Sequence, residues 1–348
     1  MRAPRICKVQ AKSVVEESVQ AHDQEKPTRP EMDRRAFVKE SVLVSAGAAA
    51  AWSGLAQAAE PVPGGPPTGT NLPAAKECLP KGKIRDLEIS RLLLGGNLLT
   101  HFTHSRDLRY VYNLAAHYNT DEKILETMAV AEANGIDTLT IHNPPHAISL
   151  LKRYRQERGG KIKWIICPTA PAEPGMAKYT ESVQQLIDDG ADAIYLWGVR
   201  ADGLCSAQKI DLIGQAVEIA KAQGVPSGVG AHELSVIVEC EKNKIAADFY
   251  IKTFHHHNYP SAKLEHDSMW CKNPEETAEF MKTVQKPWIA FKTMAAGAIP
   301  PRNAFQYSFE NGADFVLAGM FDYEIAEDVK TARDILGNLS TRNRPWRA

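Results

Sequence analysis

The sequence predicts a (β/α)8 TIM barrel of the α/β class, and three observations predict it. Eight short apolar runs alternate with amphipathic stretches of helical period between positions 91 and 336. Several helical stretches end on a glycine that leads through a short turn into the next run, as Asn134-Gly135-Ile136 and Asp189-Gly190-Ala191 do. No Gly-x-Gly-x-x-Gly follows a strand, so an open dinucleotide-binding sheet has no support. Eight strand–helix units of this length favour a closed parallel barrel.

Residues 1–31 have mixed polarity and read as an extension upstream of a start at Met32. Residues 32–58 read as a signal peptide. Asp33-Arg34-Arg35-Ala36-Phe37-Val38-Lys39 resembles the twin-arginine translocation motif, a mildly apolar run spans Ser41 to Ala51, and Ala56-Gln57-Ala58 is a small-x-small cleavage site. The run is too short and weak to span a bilayer, so stable membrane insertion is not expected. The expectation is export to the periplasm or beyond by the twin-arginine machinery, a route that carries folded proteins, often with a cofactor loaded. Residues 59–80, rich in Pro and Gly, read as a linker, and 81–340 as the barrel.

The strands are expected at Arg91–Gly95, Thr138–His142, Lys163–Cys167, Ala193–Trp197, Gly228–His232, Phe249–Phe254, Trp288–Lys292 and Phe315–Ala318. Helices are expected at Thr120–Asn134, Ile148–Arg158, Tyr179–Asp188, Asp211–Gln223, Leu234–Lys242, Pro274–Val284, Pro301–Glu310 and from Tyr323 to about Leu336. A formal net charge of -1 leaves no excess of cations to neutralise phosphates, which argues against nucleic acid as a partner and for a small-molecule substrate. Six dispersed cysteines without a CxxC pair do not form a disulfide framework or zinc knuckle.

The whole barrel resembles the aldo-keto reductase superfamily. Ile84 to Leu92 is similar to that family's opening hairpin and first strand, Glu181 to Leu196 to its fourth helix–strand unit, Ala222 to Gly230 to its fifth, and Gly319-Met320 with Glu327-Asp328 to its eighth strand and last helix. The segment from Ala247 to Leu336, with Ala290 to Gly297, looks like a group of exported bacterial barrels related to these reductases. The resemblance implies the fold and not the mechanism. Thr140, Pro145, Cys167 or Pro168, and Trp197 stand at or near the positions of the family's catalytic Asp, Tyr, Lys and His. His232-Glu233 replaces the Ser-Asn pair that holds the nicotinamide amide, and the basic residues that grip the adenosine phosphate are missing after the eighth strand. Weak or absent NADP affinity is therefore expected.

Barrel active sites lie at the C-terminal ends of the strands. Read there, the sequence offers His142, His232, His255 and Asp322 as ligands of a divalent ion such as zinc or manganese, since imidazole and carboxylate are common metal donors. His255-His256-His257 also admits a solvated polar loop, and each histidine alone a packed core role. Strand alternation lets at most two of the three face inward. Lys292, His256 and Glu233 are candidates for proton transfer; Lys252, inside an apolar strand run, must be paired or functional. Asn97, His101, His104, Arg106, Arg109, Trp197, Asn258 and Tyr259 are candidates for substrate binding, with 100–119 read as a polar lid. The first expectation is an exported metal-assisted lyase, isomerase or hydrolase acting on a small polar, carbohydrate-like substrate. The alternatives are an NAD(P)-dependent oxidoreductase like the aldo-keto reductases, and a non-catalytic binding protein with a decayed site.

Overall fold

The structure, a computed structural model, describes residues 78–106, 108–262 and 270–348. The expected extension, the signal peptide and most of the linker lie outside the described residues. A hairpin comes first: β1 (Lys81–Ile84) pairs antiparallel with β2 (Leu87–Ser90). Eight parallel strands then close on themselves: β3 (Leu92–Gly95), β4 (Thr138–His142), β5 (Lys163–Cys167), β6 (Ala193–Leu196), β7 (Ser227–Ala231), β8 (Phe249–Thr253), β9 (Trp288–Phe291) and β10 (Phe315–Ala318). They run in chain order around the barrel, with β10 closing onto β3 in the register Val316–Leu92. Each expected strand is present, shifted by at most one residue at either end.

The helices are α1 (Arg109–Tyr118), α2 (Asp121–Ala133), α3 (Pro145–Arg158), α4 (Ala177–Asp188), α5 (Gly198–Ser206), α6 (Ile210–Ala222), α7 (Leu234–Lys242), α8 (Pro274–Thr283), α9 (Pro301–Glu310) and α10 (Asp322–Asn338). Two were not expected. Helix α1 occupies the connection read as a lid, and α5 directly follows β6. Glycines 135 and 190 take the left-handed conformation just past α2 and α4, at φ 89° and 102°, which a side chain would resist.

Strand alternation sorts the apolar residues into two cores. Leu93, Ile165, Tyr195, Phe249, Ile289 and Phe315 fill the barrel interior, joined from below by Ile84 and Ile89 of the hairpin. Leu92, Leu94, Ile166, Ile194 and Tyr250 face outward against the helices. The segment after α10 seals the same lower end. Arg344 is fully buried and donates to Asp314 Oδ2 at 2.6 Å and to the carbonyls of Val284 and Lys286. With one end plugged, the other end is left for chemistry. Among the described residues no helix is long and apolar enough to cross a membrane.

Candidate functional site

The open end of the barrel holds a cavity in two lobes. The mouth lobe, of about 200 Å³, has Thr140, Cys167 and Ile251 as its floor and His142, Trp197 and His232 on its wall. The longer lobe, of about 410 Å³, runs between the ends of β9 and β10 to the first turns of α10, where it meets Glu324 and Asp328. Asn97, His104, Trp270 and Lys292 line both lobes, so the two are continuous.

Lys292, one residue past β9, is held in the left-handed conformation at φ 55°. That turn throws its ammonium over the Trp270 ring, 3.0 Å from the centroid, and lets Nζ donate to His104 Nε2 at 3.1 Å. His104 must therefore be neutral. Burial, reinforced by the charges of Lys292 and His232, pushes its pKa down to about 3. Ala295, Ala296 and Gly297 also have positive φ, and this strained run borders the longer lobe. Strain of this kind persists where surrounding structure over-determines it, and it gathers at functional sites.

His232, one residue past β7, is held from three sides. Its Nδ1 lies 2.7 Å from Asp202 Oδ2, its backbone N–H donates to the same carboxylate, and its carbonyl accepts from Lys252 Nζ at 2.7 Å and Thr253 Oγ1 at 3.2 Å. Asp202, on α5, also accepts from the Glu233 N–H at the start of α7. Lys252 is thus a structural clamp, buried among carbonyl and hydroxyl oxygens, and burial lowers its pKa. Polar groups on the cavity wall are left unmet. Among the described residues, the buried hydroxyls of Thr103, Thr140 and Thr293 have no hydrogen-bond partner. The Asp328 carboxyl, 6 % exposed, has its pKa raised to about 7 by burial and then by the charges of Glu324 and Glu327. Burial likewise pushes the Cys167 thiol up to about 12, which makes it an inert floor.

Of the residues expected from sequence, Asn97, His104, His142, Trp197, His232 and Lys292 come together around this cavity. The others do not. His101 bonds the Asn119 carbonyl, Arg106 donates to Ser261, Arg109 is exposed on α1, and Asn258 is exposed with its N–H donating to His256 Nδ1. His256 and Tyr259 pack near one another, with Tyr307 on the far side of His256, and Glu233 pairs with Lys272 at 2.6 Å. His255 is buried: Nε2 accepts the N–H groups of Trp270 and Cys271 at 3.0 and 3.1 Å, while Nδ1 lies 3.1 Å from the His256 carbonyl. It is a clamp that seats Trp270. Sequence reasoning missed Asp202, because a stretch with two glycines, Gly198 to Ser206, gives little helical signal. It also missed Asp328 as a wall of the cavity.

The expected metal site is corrected by this geometry. Among the described residues no three His, Cys, Asp or Glu side chains converge to hold an ion. His232 Nδ1 is committed to Asp202 and both His255 nitrogens to backbone, while Asp322 is paired with Lys123 at 3.0 Å and with Tyr118 at 2.7 Å. His142 instead stacks parallel to Trp197, with ring centroids 6.2 Å apart.

The fold and cavity define a (β/α)8 barrel with its polar site at the strand C-termini. No family model and no curated protein matches the sequence. Among solved structures the chain is similar to an aldo-keto reductase from Bacillus halodurans in its holo form, with 14% identity, a TM-score of 0.52, and 77% of this chain and 98% of that one covered. It is also similar to a protein from Pseudomonas aeruginosa described as an aldo-keto reductase, with 15% identity, a TM-score of 0.51, and 74% and 95% covered. At such identity the likeness is one of fold. These neighbours turn the functional expectation away from metal-assisted lyase, isomerase or hydrolase chemistry and towards its oxidoreductase alternative. They also overturn the expected exclusion of NADP. That exclusion rested on changed side chains alone, whereas the neighbours are reductases and the longer lobe presents unmet polar groups of its own.

Proposed function

We propose that this chain is an exported oxidoreductase that interconverts a small carbonyl compound and its alcohol with a nicotinamide nucleotide. The observation that carries the reading is the continuous two-lobed cavity, long on one side and compact at the barrel axis, with buried hydroxyls on its wall that have no partner among the described residues. Its size suits a ligand of cofactor class. The residues present fit such a group. Thr103 and Thr293 have hydroxyls to offer, Asp328 and Glu324 can accept from hydroxyl or amino groups, and Lys292 is the cation at the junction of the lobes.

Bound there, the nucleotide would exchange a hydride with the substrate carbon. The chain's own part is positional and electrostatic. Trp197 and Trp270 wall the mouth and exclude water, Asn97 offers an amide to both lobes, and the Lys292 ammonium supports negative charge on the substrate oxygen. His104, kept neutral, holds that ammonium without neutralising it. Calorimetry with NADH and NADPH is expected to give a micromolar Kd for at least one of them. Absence of binding by either at millimolar concentration would remove the reading.

Export rests on the paired arginines Arg34 and Arg35 followed by a weakly apolar run and a small-x-small site. Changing both arginines to lysine is expected to retain the protein in the cytoplasm of its host, and unchanged periplasmic recovery would refute export by this route.

A further inference from the structure

We infer that Asp202 and His232 form the proton-transfer pair of this site, with His232 as the catalytic residue and Asp202 as the residue that positions it. The inference rests on the oxidoreductase reading and adds to it the group that moves the proton.

The first step is the tautomer. Asp202 Oδ1 accepts the backbone N–H groups of His232 and Glu233, each at 3.1 Å, and its Oδ2 lies 2.7 Å from His232 Nδ1. With two backbone donors already on Oδ1, Oδ2 is presented to the ring as an acceptor, so the ring proton belongs on Nδ1. That leaves Nε2. It has no hydrogen bond among the described residues, and its ring lines the mouth lobe, 5.8 Å from the Trp270 ring. A carboxylate behind one imidazole nitrogen and a cavity in front of the other is the arrangement that lets the ring gain and lose a proton where substrate sits.

The second step is rigidity. Both sides of the His232 residue are pinned, its N–H by Asp202 and its carbonyl by Lys252 and Thr253. The ring therefore has little freedom to leave its line to the cavity.

The third step is elimination. Tyr195 reaches the floor of the mouth but is buried beside Cys167, and burial holds its hydroxyl well above the ordinary tyrosine range. Cys167 is similarly raised. His104 is committed to Lys292, and burial lowers His142, which has no carboxylate partner among the described residues. The charged or titratable groups around His232 are Asp202 from α5, Lys252 from β8, Lys292 from beyond β9, and His104. Only Asp202 stabilises an imidazolium.

In the reducing direction His232 Nε2 gives its proton to the carbonyl oxygen as the carbonyl carbon receives a hydride. The π pair of the C=O bond becomes the new O–H bond, and the pair of the broken N–H bond stays on Nε2. The two electrons gained by the substrate come from the reduced nicotinamide, which is oxidised. In the oxidising direction neutral Nε2 takes the alcohol proton.

The test needs two readouts. In protein labelled with nitrogen-15 at histidine, NMR of the nucleotide-free enzyme is expected to show His232 as the Nδ1–H tautomer, and Asp202→Asn is expected to shift the proton to Nε2. With 4-nitrobenzaldehyde and the nucleotide that binds best, D202N and His232→Gln are each expected to lower kcat about 100-fold or more, with nucleotide Kd within about twofold of wild type. The fall of reductive kcat as pH rises, which follows loss of the donated proton, should disappear in H232Q. An Nε2–H tautomer in the wild type, or kcat unchanged in either variant, would overturn the pair. Failure of the wild type to bind either nucleotide would instead overturn the oxidoreductase reading, while the tautomer measurement would still decide the pair.

Discussion

A single carboxyl shows how much the site departs from ordinary packing. Asp328 is buried in the wall of the longer lobe beside Glu324, and its pKa is raised from 3.8 to about 7. The folded state therefore binds this proton more tightly than the unfolded chain does. The stability this supplies is full below the unfolded value and is lost as pH rises through the folded one. Asp328→Asn removes the titration, so the variant is expected to gain on wild type as pH rises from 4 to 7, reaching roughly 1–3 kcal/mol at pH 8. Urea unfolding at pH 5 and pH 8 measures this; an equal difference at both values would contradict it. A carboxyl that destabilises its own fold at neutral pH is better explained by a ligand than by packing.

The segment carrying Trp270 has a comparable dependence on one side chain, now at the level of an element. His255 accepts both N–H groups of Trp270 and Cys271 on one nitrogen, and burial lowers its pKa from 6.5 to about 4. Protonating that nitrogen removes both bonds. The contribution is whole above the unfolded value and is lost as pH falls through the interval between 6.5 and about 4. Hydrogen-exchange protection of the amides of residues 270 and 271 is expected to fall selectively across that interval, and His255→Gln should abolish the pH dependence. Uniform behaviour of all slow amides would refute the clamp. The same element shows what sequence reading reaches. The strands were legible almost to the residue because a buried parallel strand is a short apolar run between glycine-closed helices, as Lys163–Cys167 and Phe315–Ala318 illustrate. His232 and Lys292 were legible as polar residues at strand ends. Their partners were not: Asp202 lies 30 residues from His232 and meets it only through the pairing of β6 with β7, and His104 lies 188 from Lys292 and meets it only through the closure of β10 onto β3. The histidine run misled because its buried member, His255, lines neither lobe and bonds to backbone.

The whole molecule divides its labour between two ends. Below, Arg344 joins Asp314 to the carbonyls of Val284 and Lys286, and Arg91 and Arg342 flank the Trp346 ring at 3.7 and 3.4 Å. These charged contacts are dense, with the Nε of Arg347 left without a partner among the described residues. Above, threonine hydroxyls go unpaired among the described residues, Lys292, Ala295, Ala296 and Gly297 take positive φ, and an ammonium rests on an indole. A folded domain carries few such unmet groups, and here several share one cavity. The dense ion pairing of one end and the cavity with its unmet hydroxyls at the other mark where the fold is closed and where it is open to a guest.

The contact between Lys292 and Trp270 has a photophysical consequence. An indole with an ammonium 3.0 Å from its centroid sits in a strong local field, and its emission depends on that charge. A guest that draws Lys292 away, or slides between the two, changes the emission of one tryptophan among six. Subtracting the spectrum of a Trp270→Phe variant would isolate that signal. The barrel thus carries a built-in optical gauge of its own occupancy, readable before any turnover occurs.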